Sequence, residues 1–176
     1  MQNKLNLELK YFCPDFLPIR QVLLEIGAKK YRTTRQKDYF FNLPNFKQNA
    51  RLKLRIENQK QTLIYYGRED FKEDKANPAK IILYPIKDNK FLMFLSNTLG
   101  VRAIVVKKRE QWKKGNAVFN LDTVEKVGKI FEIEVTTDQK NLKKDEDTFN
   151  NYKEKVLAYL SKVVKGSNLD LVSKVK

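Results

Sequence analysis

The chain has 176 residues, 36 of them Lys or Arg and 21 Asp or Glu, for a net charge of +15. It is 41% hydrophobic with six glycines and five prolines, enough apolar material for a buried core, and one domain over residues 1–176 is the simplest expectation. A single cysteine excludes an internal disulfide, the lack of histidine excludes Ser-His-Asp, Cys-His and His-rich zinc chemistry, and no apolar run of about 18 residues is present to span a membrane.

The elements follow in chain order. KLNLELKYF (4–12) alternates Leu5, Leu7, Leu9 and Tyr11 against polar residues and predicts a strand. In CPDFLPIRQVLLEIGAKK, Asp15 is placed to cap a helix that Gly27 stops, with Pro18 tolerated in its first turn. A strand follows from about 30 to 42. RLKLRIE (51–57) and QTLIYYGRED (61–70) predict a hairpin about NQK, and FKEDKANP (71–78) a loop. AKIILYPI (79–86) predicts a strand, and DNKFLMFLSNTLG (88–100) a short helix capped by Asp88 or Asn89 and ended at Gly100. VRAIVVKKREQW (101–112), AVFNLDTVE (117–125) and KIFEIEV (129–135) predict three further strands, and a third, amphipathic helix is expected over about 141–164. The tail KGSNLDLVSKVK (165–176) reads as frayed or as a short helix.

Strand parity carries the functional argument. The charged phases hold Lys10, Lys53, Arg55, Arg68, Lys107 and Arg109, with Glu8, Asp122, Glu132 and Glu134, while the opposite phases are mainly apolar. One arrangement is an open, half-buried sheet whose polar face meets water. The other is a closed barrel, its apolar face covered by helices and its charged face lining a wet tunnel. In a tunnel, six cations less four carboxylates leave +2. Clustered carboxylates suit Mg²⁺ or Mn²⁺, and Lys and Arg suit phosphate oxygens.

Seven short motifs occur in one order: NLELK (6–10), QKDYFF (36–41), RLKLR (51–55), IYYGRED (64–70), VVKKRE (105–110), NLDTVEKVG (120–128) and FEIE (131–134). Together they resemble the CYTH, or triphosphate tunnel metalloenzyme, family, and most closely its class IV adenylyl cyclase-like branch, over about residues 4–160. The resemblance implies an α+β fold: an eight-stranded antiparallel barrel with a charged lumen, packed outside by about three helices. It implies metal binding by Glu8, Glu132, Glu134 and Asp122 with Mg²⁺ or Mn²⁺ as cofactor. Lys10, Lys53, Arg55, Arg68, Lys107 and Arg109 would hold phosphates, and Lys10, Asp122 and Arg68 would act in catalysis.

The implied reaction is conversion of ATP to cyclic AMP and pyrophosphate. Hydrolysis of an inorganic or organic triphosphate is the alternative. A third reading is a module that binds nucleotide or polyphosphate without turnover, because Asn6 stands where the family signature has its first acid. The expected partner is a nucleoside triphosphate or inorganic polyphosphate. Nucleic acid ranks last, since the sheet phase that would carry stacking aromatics carries charge. No membrane partner is expected, a homodimer is left open, and the expected location is cytoplasmic.

Overall fold

The structure is a computed structural model that describes residues 5–43, 50–68 and 77–173; the side chains of Leu5, Arg68 and residues 77–80 also fall outside the described set. Eight antiparallel strands form a closed barrel: β1 (Leu5–Phe12), β2 (Lys29–Phe41), β3 (Ala50–Glu57), β4 (Lys60–Arg68), β5 (Asn77–Ile86), β6 (Val101–Lys114), β7 (Ala117–Val124) and β8 (Gly128–Thr137). Their order around the barrel is β1-β5-β4-β3-β2-β6-β7-β8, with β8 pairing back onto β1. The expected barrel is therefore present, and the open sheet is not.

Closure is uneven. β1 pairs with β8 along its whole length, from Leu5↔Thr137 to Phe12↔Ile130. Among the described residues, its other edge meets β5 at Leu7↔Pro78 and Glu8↔Asn77. Beyond that point the edge is taken by the C-terminal segment: Phe12 N–H donates to Lys162 O at 2.9 Å, and Val164 N–H to Lys10 O at 2.9 Å. Polar backbone of β1 that would otherwise lie open is thereby satisfied. The β3–β4 hairpin turns through Asn58 and Gln59, both at positive φ (49° and 66°), as a two-residue loop with right-twisted arms requires.

The apolar phases face outward and are covered in two places. α1 (Leu17–Glu25) and α3 (Leu142–Leu157) pack over β1, β7 and β8, burying Leu7, Leu9, Phe119, Phe131 and Ile133 against Ile19, Leu23, Phe149 and Val156. α2 (Phe91–Leu99) covers Leu54 and Phe41 with Leu95. Glu110, on the outer face of β6, locks α1 in place through Arg20 at 3.0 Å and accepts the Trp112 indole N–H at 2.8 Å.

Helix ends differ in detail from the sequence expectation. The N-cap of α1 is Phe16, although Asp15 still accepts the Leu17 backbone N–H, which holds its carboxyl below the usual range. The N-cap of α2 is Lys90, with Asp88 accepting its N–H at 2.8 Å. α3 stops at Leu157 rather than near 164, because the chain must straighten to pair with β1, Tyr11 bridging Val163. The tail is a fourth helix, α4 (Asn168–Val172), closed by a capping box between Ser167 and Asp170. Leu169 packs with Phe40, Val105, Val124 and Ile130. Those four share the inward phase of their strands, so α4 stoppers one end of the barrel with apolar contacts.

Candidate functional site

The inward phases converge on a cavity of about 270 Å³ lined by Glu8, Lys10, Lys53, Arg55, Lys107, Arg109, Glu132 and Glu134 among others. Alternation brings them together: in each strand every second residue points inward, and closure turns eight half-faces toward one axis. Of the expected residues only Arg68 cannot be placed, since its side chain lies outside the described residues. Asn6 sits on the same phase of β1 as Glu8, one step nearer the open mouth, paired with Thr136.

Three charged groups divide the lumen. On β2 and β3, Asp38 accepts from Lys53 Nζ at 2.8 Å and from Arg55 Nε and Nη2 at 2.7 and 2.8 Å. On β6 and β7, Asp122 accepts from Lys107 Nζ at 2.9 Å and from Arg109 Nε and Nη2 at 2.7 and 2.6 Å. On β1 and β8, Lys10 bridges Glu8 and Glu132 at 3.2 and 2.5 Å. Arg109 joins the second group to the third, reaching Glu132 Oε2 at 2.7 Å. Asn120 donates to Glu132 at 3.2 Å and to Glu134 at 2.8 Å, and its own oxygen is held by Gln111.

Carboxylate oxygens of Glu8, Glu132 and Glu134 lie within 4.8 Å of one another. Three hard oxygen donors at that separation fit a divalent cation of the Mg²⁺ or Mn²⁺ type. Asp122 does not join them; both of its oxygens are taken by Lys107 and Arg109. Asp38 was not among the residues expected at the site. It belongs to the inward phase of β2 with Gln36 and Phe40, and it changes the charge balance. Added to the expected set, it leaves six cations less five carboxylates, a net of +1; without Arg68, whose side chain lies outside the described residues, five cations (Lys10, Lys53, Arg55, Lys107, Arg109) meet five carboxylates (Glu8, Asp38, Asp122, Glu132, Glu134).

The electrostatics separate these carboxylates. Burial would raise Asp38, but Lys53 and Arg55 outweigh it and hold the carboxyl well below its usual range. Burial opposes ionisation of Asp122 and Glu132 too, and loses to Arg109 with Lys107 in the first case and to Lys10 with Arg109 in the second. Glu134 goes the other way. Burial and then the neighbouring Glu132 push it up to about 8. Among the cations, burial and then Arg55 lower Lys53 to about 7, against the pull of Asp38. Ionised Asp38, gripped by two cations at 2.8 Å or less, favours the ion-paired form of Lys53 at neutral pH. The lumen thus has two cation pairs compensated by Asp38 and Asp122, and a carboxylate cluster on β1 and β8 that Lys10 and Arg109 neutralise only in part.

The CYTH domain family matches residues 4–166. No curated protein matches the chain. Among solved structures, the PH1012 protein from Pyrococcus horikoshii OT3 is 24% identical with a TM-score of 0.78, covering 94% of this chain and 98% of its own. A candidate adenylate cyclase from Vibrio parahaemolyticus is 18% identical with a TM-score of 0.77, covering 98% and 99%. The candidate adenylyl cyclase HpAC1 from Hippeastrum, said to have a dominant triphosphatase activity, is 16% identical with a TM-score of 0.60, covering 97% and 95%. These likenesses show the shared fold. No helix among the described residues is long and apolar enough to cross a membrane.

Proposed function

The chain belongs to the CYTH domain family, and from that premise we propose that it is a metal-dependent enzyme acting on triphosphates inside the barrel, with conversion of ATP to cyclic AMP and pyrophosphate as its reaction. The observation that carries the reading is the sorting of lumen charge. The Lys53–Arg55 pair on β3 stands across the barrel from three carboxylates whose oxygens lie within 4.8 Å of one another, and the Lys107–Arg109 pair lies beside them, Arg109 bonded to Glu132. A bound divalent ion would supply charge neutralisation on the phosphoryl oxygens and a more acidic attacking hydroxyl.

The chain's own residues do the rest. Glu8, Glu132 and Glu134 would hold the ion. Asp38 and Asp122 orient the cations from behind. Each lysine has three donors and each guanidinium five, and the acids use only some of them. The remaining donors of Lys53, Arg55, Lys107 and Arg109 grip phosphate oxygens, with Lys10 between the phosphates and the carboxylates. Arg68 is assigned to the same grip by its motif. In the cyclisation, the ribose 3′ oxygen would give its proton to water and bond to the α-phosphorus as the bond to the departing pyrophosphate breaks. Hydrolysis on the same residues would instead bring water to a phosphorus, and HpAC1 keeps that alternative in view.

Separating the products formed from ATP with Mn²⁺ tests the choice. Cyclic AMP with pyrophosphate is expected. ADP with phosphate would select the hydrolase, and no product would leave a binding module. Asn6 gives a second check. It lies one inward step from Glu8 and adds no charge to the cluster. Asn6→Glu is expected to tighten divalent-ion binding about tenfold by adding a unit charge, measured by calorimetry. Unchanged binding would make the position neutral.

A further inference from the structure

The lumen is not charged all round. The inward phases of β4 and β5 contribute Ile64, Tyr66, Ile81 and Leu83 to the same cavity as the cations and carboxylates. Register places them in rows with the charged groups. Phe40, Lys53, Ile64 and Leu83 are successive cross-strand neighbours over β2, β3, β4 and β5, and Tyr66 pairs with Ile81 in the next row. Lys53 stands at the border, its ammonium 5.3 Å from the Phe40 ring centre and 5.6 Å from that of Tyr66. Ile81 and Leu83 are 42% and 61% exposed although they line the cavity. A bare triphosphate would use the charged walls and leave Ile81 and Leu83 in contact with water.

We infer that the β4–β5 wall is the subsite for the organic part of the substrate, an aromatic ring carried on the triphosphate. This inference rests on the triphosphate reading above. A ring laid on Ile81 and Leu83 would bury apolar surface that inorganic triphosphate cannot, while its phosphates reach Lys53 and Arg55 in the adjoining strand. The wall selects for the ring, and the charged strands bind the chain common to all triphosphates. Tyr66, half-buried and next to Lys53, offers a ring face or edge to a planar group.

The test compares ATP, methyl triphosphate and inorganic triphosphate by calorimetry with Ca²⁺ as the supporting ion, in the wild type and in the Ile81→Ala/Leu83→Ala double variant. Methyl triphosphate keeps the ester and lacks the ring, so it separates ring from charge. The wild type is expected to prefer ATP over methyl triphosphate. The double variant should lose about tenfold of that preference, the scale of a few lost methylene contacts. Both residues are exposed, so folding is expected to be preserved. Three results overturn the inference: no preference for ATP in the wild type, equal weakening of all three ligands in the double variant, or an unchanged preference in the double variant, which together with an altered oligomeric state would make the wall an interface between copies. If none of the three ligands binds the wild type, the triphosphate reading itself fails, and that outcome is distinct from the others.

Discussion

Arg109→Ala is expected to destabilise the ligand-free protein by about 3–5 kcal/mol, the loss seen when one partner is removed from a buried ion pair. Arg109 is bound to Asp122 through two nitrogens and to Glu132 through one. All three residues are buried, at 7%, 1% and 2% exposure. Without the guanidinium, Asp122 keeps Lys107 and Glu132 keeps Lys10, but each loses its second cation. Arg109→Lys retains the charge without the forked geometry and should cost less, roughly 1–2 kcal/mol. Urea unfolding at neutral pH measures both. The deficit should shrink in acid. Asp122 and Glu132 have folded pKa values below their usual ones, so their contribution is present at neutral pH and is lost as pH falls through the folded values. An Arg109→Ala protein within about 1 kcal/mol of the wild type at neutral pH would show that the network carries little stability.

Glu134→Gln should have the largest effect on turnover, a loss of about a thousandfold or more, as several kcal/mol of metal-linked stabilisation would require. The substitution keeps the side-chain shape and the link to Asn120, and removes one of three carboxylates. Its effect on the metal-free protein has the opposite sign at high pH. Glu134 is raised from 4.5 to about 8, so the folded protein holds this proton more tightly than the unfolded chain does. That contribution is full below about 4.5 and is lost as pH rises through about 8. Without metal, the variant should therefore gain in melting temperature relative to the wild type as pH rises from about 4.5 to about 8, and the difference should level off above that. Adding Mn²⁺ should favour the wild type and release a proton on binding below that pH. A constant difference in melting temperature from pH 6 to 9, with and without Mn²⁺, would count against this assignment.

How much could be read in advance followed from how clean the alternation was. In RLKLR and FEIE, apolar and charged residues alternate strictly, so each residue's face follows from parity, and the lumen positions of Lys53, Arg55, Glu132 and Glu134 were legible. In QKDYFF the alternation breaks: Lys37 and Asp38 are both charged and Tyr39, Phe40 and Phe41 are all aromatic, so Asp38 was missed. In IILY all four residues are apolar, and parity cannot assign a face. There the register with β4 was needed to show that Ile81 and Leu83 line the cavity. Helix ends were least legible, because tertiary pairing sets them. α3 ends where the chain is recruited to the edge of β1, and the five residues of α4 are held by apolar contacts inside the barrel end. The pairing on β1 leaves no local sequence signal, whereas the start of α4 does, in the Ser167–Asp170 capping box.

The central claim is that the lumen binds a triphosphate chain through its paired cations together with a divalent ion. Calorimetric titration of inorganic triphosphate and of orthophosphate into the wild-type protein with Mn²⁺ tests it most directly. The account predicts one triphosphate per chain, bound about a hundredfold more tightly than orthophosphate because two more phosphoryl groups reach charged donors. That binding should collapse in Glu134→Gln. Equal affinity for the two anions, or triphosphate binding that survives in Glu134→Gln with undiminished strength, would contradict it.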